Sequence, residues 1–171
     1  KLSASVSSLN LCFNHKALEG FDTNFKLRPV LRSEDDRKAL IDAVVDGTID
    51  VICSNHFPED QESKDVEFGF AAHGASNVDT SFSAVCMGMG PDLDVNNIVS
   101  VMAVNPRRVL GIDVPSIEVG KKAELTIFDP KLEWVYDSKN RVTGTINSPF
   151  IGKTLKGRAL YTINKGQLKK I

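Results

Sequence analysis

No stretch of the 171-residue chain approaches the roughly 18 consecutive apolar residues that a membrane span requires, which argues against a membrane protein. There is no excess of one charge either. Lys plus Arg is 21 against 22 for Asp plus Glu, a formal net charge of −1. Nucleic-acid binders usually carry a basic excess or a basic stripe, so that partner class is not expected. Cysteine is scarce and odd in number. Cys12, Cys53 and Cys86 sit in apolar runs and read as small buried hydrophobes of a reducing, cytoplasmic setting, with no disulfide framework. At the N-terminus there is neither a Met nor a charged-then-apolar leader; the chain opens at Lys1 straight into an extended-looking run. That opening reads as a piece of a longer protein.

Signatures of several chemistries are missing too. There is no Cys-x-x-Cys, and His15, His56 and His73 do not stand at the i, i+2 or i, i+4 spacing common in zinc sites. No metal site is expected to be complete within this chain. There is no Gly-x-Ser-x-Gly nucleophile elbow and no phosphate-cradling glycine loop. Cys53 and His56 are close in sequence, but neighbouring strand positions face opposite ways, so they make a poor catalytic pair. The Met87–Gly90 run lacks a basic partner and reads as a helix terminus. The acidic residues of 59–67 read as a solvated loop.

What is present is an ordinary globular composition, with 42% hydrophobic and 25% charged residues, which excludes extensive disorder. Residues 2–13 read as a strand, and 14–32 as a loop marked by Gly20, Asp22, Asn24 and Pro29. Ser33 with Asp36 forms a capping-box pattern opening a helix whose apolar stripe is Leu40, Ile41, Val44 and Val45, with Gly47 past its end. Residues 49–53 read as a β-branched core strand, parallel to the first in a βαβ unit. That strand stops at Ser54-Asn55-His56. Ligands collect at the carboxyl ends of parallel strands, so this triplet is the first place to look for chemistry. Residues 57–79 form a long polar loop. A short helix follows around Phe82–Met89, closed by Gly88, Gly90 and Pro91. A second helix is expected over 95–103, and a third with Asn105 as N-cap, Pro106 at N1 and Gly111 at its end. From about 114 the period becomes two, broken at Asp129-Pro130, with a three-residue hairpin loop at Asn164-Lys165-Gly166. The division expected is 1–113 as an α/β part and 114–171 as a small β module. The expected buried positions are Leu40, Ile41, Val44, Val51, Ile52, Val101, Leu110, Leu125 and Ile127.

Several of these segments together resemble a family. The runs Phe21-Asp22-Thr23-Asn24-Phe25-Lys26, Pro29-Val30-Leu31-Arg32 and Asp46-Gly47-Thr48-Ile49-Asp50 resemble the C-terminal part of dihydroorotases of the amidohydrolase superfamily. So do Asn105-Pro106-Arg107-Arg108-Val109-Leu110-Gly111, the segment from Glu118 to Leu125, and Ser148-Pro149-Phe150-Ile151-Gly152-Lys153. The resemblance runs from about 20 to 165. It implies an α/β fold, the C-terminal portion of a zinc-bearing (β/α)₈ barrel with strands seven and eight, plus the C-terminal share of a small β domain. The barrel's metal-binding histidines and lysine would lie upstream of Lys1, so no zinc is expected to be bound by this segment alone.

At the active-site positions the chain departs from the family. The family's Thr-Asp-His-Ala-Pro-His is here Ser54-Asn55-His56-Phe57-Pro58-Glu59. The aspartate it carries binds metal and accepts the proton of the attacking water; Asn55 cannot accept that proton. The motif's last histidine, which helps bind the substrate carboxylate, is Glu59. A substrate-touching asparagine of the family is Arg28. The Pro-Phe-Gly stretch is Ala72-His73-Gly74, keeping only Gly74, and a Pro-His-His is Ser8-Leu9-Asn10. The resemblance therefore implies a dihydroorotase-like protein of pyrimidine biosynthesis with an impaired centre. Its role would be structural, as a homo-oligomer or as a partner of aspartate transcarbamoylase. The alternative is an active cyclic amidohydrolase using a different base, and a further alternative is an unrelated interaction domain of similar βαβ texture. Two barrel strands alone leave open edges, so pairing with another copy is expected of the isolated piece.

Overall fold

Two sheets share the chain, a parallel pair near the N-terminus and an antiparallel triplet at the C-terminal end. The computed structural model describes residues 2–90 and 94–171. Strand β1 (Ser5–Ser7) pairs in parallel with β2 (Val51–Cys53), in the register Ser5 to Val51 and Ser7 to Cys53. The parallel βαβ unit read from the sequence is thus present. Its helix, α2 (Glu34–Val45), begins as the capping box dictates: Ser33 Oγ accepts from the Asp36 amide while Asp36 accepts from the Ser33 amide. Gly47 follows it at φ 83°, a left-handed geometry suited to glycine.

The first strand is shorter than the alternation of residues 2–13 suggests. At Ser7 the chain turns into a five-residue helix, α1 (Ser8–Cys12). Ser7 Oγ accepts from the Leu9 amide and caps the turn, an N-cap that competes with strand continuation. The result sends Leu9 and Leu11 into two different cores. Leu11 joins Val6, Ile41, Val44, Ile52, Val85, Ile98 and Val101, whereas Leu9 joins Phe25, Leu27, Tyr136, Phe150 and Leu155. Residues 14–32 are a loop with two short 3₁₀ turns, His15–Leu18 and Thr23–Phe25.

A short helix, α3 (Gln61–Lys64), interrupts the long polar loop. Helix α4 (Ser81–Met89) runs through Gly88 and ends at Gly90; Pro91 lies outside the described residues. Gly88 is an internal contact point and not a terminator. A Cβ there would sit 2.6 Å from the Leu11 carbonyl oxygen, so glycine lets α4 lie directly on α1. The two helices expected over 95–111 are one continuous run: α5 (Val95–Val99), a π-turn (Ser100–Val104) and α6 (Asn105–Leu110). Asn105 has helical dihedrals and is no N-cap; its side chain instead donates to the Asp50 carbonyl at 2.9 Å. Pro106 brings no amide to the ladder, and the π-turn just before it accommodates that gap. Gly111 ends the run in the left-handed region at φ 67°.

The antiparallel sheet has the order β3 (Leu125–Val135), β4 (Thr154–Asn164), β5 (Gln167–Lys170). Asp129-Pro130 does not end the strand; it marks a register shift between Asp129 and Glu133. The hairpin loop has two residues, not three. Lys165 (φ 51°) and Gly166 (φ 75°) turn between the paired Asn164 and Gln167. Of the expected buried positions, Ile41, Val44, Ile52 and Val101 are in the core, and Leu40, Val51 and Leu125 are partly covered. Leu110 and Ile127 are 70% and 49% exposed, the first at the last turn of its helix and the second on an uncovered sheet face. Of the three cysteines only Cys86 is fully buried; Cys12 and Cys53 are half-buried, and all are free thiols. Burial pushes the Cys12 thiol up to about 12 and Cys86 to about 11, so neither is a thiolate at neutral pH. No helix among the described residues is long and apolar enough to cross a membrane.

Candidate functional site

The carboxyl end of β2 delivers Ser54, Asn55 and His56 into a loop rim, and three separate segments meet them there. Asn55 takes a left-handed backbone at φ 48°, a conformation that asparagine tolerates better than most residues. Its side-chain amide donates to the Arg28 carbonyl at 2.9 Å, so two of the site positions picked out above are tied directly. The bond comes from the Arg28 backbone; its side chain is exposed. Gly74 is fixed by the same rim. Its amide donates to the Lys26 carbonyl at 2.9 Å, and a Cβ on it would run into the Phe57 carbonyl and lie 3.3 Å from Glu59 Cγ. Its φ of 148° also disfavours any side chain. Glu59 is held from its backbone amide, which donates to Asn147 Oδ1 at 3.3 Å. Asn55, Arg28, Glu59 and Gly74 therefore share one rim.

His56 has a definite role. Its Nδ1 accepts from the backbone amides of Asn77 (3.0 Å) and Val78 (3.2 Å). An imidazole nitrogen that accepts carries no proton, so in the neutral ring the proton is on Nε2. Cys53 Sγ bonds to the Val6 carbonyl, so Cys53 and His56 do not meet as a pair.

Three supporting residues carry no sequence signal strong enough to single them out. Asn77, 1% exposed, donates to Ser8 Oγ (2.8 Å) and the Ser54 carbonyl (2.6 Å) and accepts from Thr80 Oγ1 (2.9 Å). It thus joins the ends of β1 and β2 to the start of α4. Lys64, only 6% exposed despite its place in an acidic run, donates to the Ala72 and Gly74 carbonyls, each at 2.9 Å. Desolvation lowers its pKa from the ordinary lysine value, partly offset by Glu59 and Asp22. Asp79 Oδ2 accepts from Tyr136, Val142 and twice from Thr143, pinning the following loop. Patterning finds apolar faces; it does not find a buried polar residue whose partners are remote in sequence.

The chain matches the Amidohydrolase family model over residues 4–169. It belongs to the amidohydrolase family. It is 40% identical over 169 residues to a dihydroorotase of Geobacter sp. (strain M21), with 98% of this chain and 40% of that protein covered. A dihydroorotase of Thermoanaerobacter sp. (strain X514) is 36% identical, covering 99% of this chain and 39% of the relative. Among solved structures, the L-hydantoinase (dihydropyrimidinase) from Arthrobacter aurescens superposes with a TM-score of 0.84 at 22% identity, over 97% of this chain and 38% of that one. A D-hydantoinase (dihydropyrimidinase) from Thermus sp. gives 0.81 at 19%, over 99% and 40%. The resemblance to the C-terminal part of dihydroorotases is thereby shown, and the structural neighbours establish an amidohydrolase-type fold. The chain spans about 40% of the length of the curated relatives it matches.

Amidohydrolase sites of this family hold zinc, and the donor at this strand end does not fit that role. Zinc takes thiolate, imidazole or carboxylate ligands. Asn55 offers a neutral amide whose nitrogen is already engaged with Arg28, and His56 directs Nδ1 at two backbone amides.

Proposed function

We propose that this chain is the C-terminal portion of a dihydroorotase-like protein whose reaction centre is impaired and whose role is structural. In this reading β1 and β2 are strands seven and eight of a (β/α)₈ barrel, and β3–β5 are the C-terminal share of its β domain. The observation that carries it is the state of Asn55. An amide cannot accept the proton of an attacking water, and here its nitrogen also serves as a structural donor to the Arg28 carbonyl. A general base contributes roughly 10²- to 10⁴-fold to rate. Glu59 adds to the loss by setting a carboxylate where an acidic substrate would need a cation or donor.

The rim nevertheless remains well built. Gly74 stays closely packed, and Asn77, Lys64 and His56 hold the loops by hydrogen bonds. A scaffold kept ordered around a disabled centre suits a non-catalytic subunit, either as a homo-oligomer or as a partner of aspartate transcarbamoylase. The test is turnover of carbamoyl aspartate and dihydroorotate by the intact protein with zinc supplied, alongside co-purification with aspartate transcarbamoylase. No turnover together with a stable complex is the expected result. Clear turnover would overturn the reading and support a cyclic amidohydrolase with a different base.

A further inference from the structure

Residues of the start of α4, of the antiparallel sheet and of the loop after β3 line a cavity of about 370 Å³, which none of Asn55, Arg28, Glu59 or Gly74 lines. That volume falls within the usual range for small-molecule sites. Val78, Phe82, Trp134 and Arg158 are among the residues that line it. The Arg158 guanidinium lies over the Trp134 ring, 4.6 Å from its centroid. Lys169 and Lys170 of β5 also border it, on neighbouring strand positions that face opposite ways.

The polar groups of this wall are unevenly satisfied. The indole N–H donates to the Gly157 carbonyl (3.0 Å) and Ser83 Oγ (3.3 Å), and Ser83 in turn donates to Gly157. Asp79, the one acidic side chain on the wall, takes four hydrogen bonds on Oδ2 at 2.9–3.1 Å from Tyr136, Val142 and Thr143. Those donors are neutral, so Asp79 keeps its charge, but it forms no ion pair with Arg158, Lys169 or Lys170 among the described residues. Among the described residues Arg158 has no carboxylate partner, and its Nε is shielded from solvent without an acceptor. Neither Lys169 nor Lys170 forms an ion pair among those residues. The donors left over are cationic, and the surfaces beside them are flat and apolar.

We propose that this cavity is a binding site for a small planar organic anion. The anionic group meets the guanidinium edge of Arg158 and one of the two β5 ammonium groups, since neighbouring strand positions face opposite ways, and the flat body lies against Phe82, Val78 and Val142. Arg158 is the specificity element, because its fork is preset by stacking on Trp134 and matches a carboxylate, sulfonate or phosphate geometrically. The site is separate from the Asn55 rim, and the inference does not depend on the reaction proposed above. One link joins the two: Val78 lines the cavity while its amide donates to His56.

The probe is 1-anilinonaphthalene-8-sulfonate, titrated into the intact protein. Its uncharged counterpart N-phenyl-1-naphthylamine has the same ring system without the sulfonate. Binding is read as the rise in probe fluorescence, and the variants at Arg158 and on β5 assign it to this cavity. Saturable binding at one site is expected. It should weaken about tenfold for Arg158→Gln, about the loss of one charge-assisted contact. The double variant Lys169→Gln/Lys170→Gln, whose side chains are exposed and whose folding is not at risk, should also weaken it several-fold, and the uncharged probe should bind at least about tenfold more weakly. Equal binding of the two probes, affinity unchanged in the double variant, or no saturable binding would overturn the proposal, the last because other parts of the protein then fill the cavity.

Discussion

Asn77 carries more of the rim than any residue the sequence singles out. It is buried, and it satisfies Ser8, Ser54 and Thr80 at once. Replacing it with alanine leaves several buried polar groups unpaired, each costing about 1–3 kcal/mol. The Asn77→Ala variant should therefore lose about 2–4 kcal/mol, read as a fall in the urea midpoint with an unchanged slope. A loss below about 0.5 kcal/mol, the level of an ordinary surface substitution, would mean the network is not a unit. At this scale the sequence is only half legible. Asn55 and His56 stand out because a parallel strand ends there, and Arg28, Glu59 and Gly74 stand out by resemblance. Asn77 and Lys64 do not, because apart from Thr80 their side-chain partners lie 8 to 69 residues away and no local pattern encodes such pairs.

Helix α2 shows how an element is both readable and anchored. Its capping box and apolar stripe are local features; the structure contains the box as read and buries Ile41 and Val44 of the stripe, while Leu40 is half-buried and Val45 is 52% exposed. Its anchoring is not local. Arg37 donates to the carbonyls of Leu11 (2.8 Å) and Gly88 (3.1 Å) while Glu34 grips the same guanidinium at 2.7 Å. The hydrogen bonds from Arg37, and then from Asn14, hold the Glu34 carboxyl at about 2, below its ordinary 4.5. A carboxyl pKa depressed by folding adds stability above its unfolded value, and that stability is lost as pH falls toward the folded value. Wild type should thus exceed Glu34→Gln in melting temperature at pH 7, with the gap closing between about pH 4.5 and 2. A gap independent of pH would assign the effect to packing. Gly88→Ala tests the contact of α4 with α1. The added methyl meets backbone at 2.6 Å, and overpacking of that kind costs about 1–3 kcal/mol, measurable by thermal unfolding. The misread elements have local causes of the opposite kind. Ser7 caps a helix where alternation implies more strand, and Pro106 sits inside a helical run because a π-turn precedes it.

Across the whole molecule, the parallel pair β1–β2 has no further strand on either side among the described residues, and β3 and β5 leave two more edges. Ile127 and Leu168 are exposed on the C-terminal sheet. Uncovered edges and apolar faces pair with whatever complements them. The 171-residue chain produced alone should therefore self-associate with rising concentration in sedimentation velocity; a monomer at all concentrations would show the edges to be protected. The chain's family membership accounts for the element order; in the reading proposed above, the packing keeps that fold while the rim chemistry differs. The most direct measurement is a side-by-side assay of the intact protein and its Asn55→Asp variant on dihydroorotate with zinc supplied. The protein with Asn55 should be silent, and the variant should gain about 10²-fold or more over that background. Turnover by the unaltered protein, undiminished relative to Asn55→Asp, would contradict it.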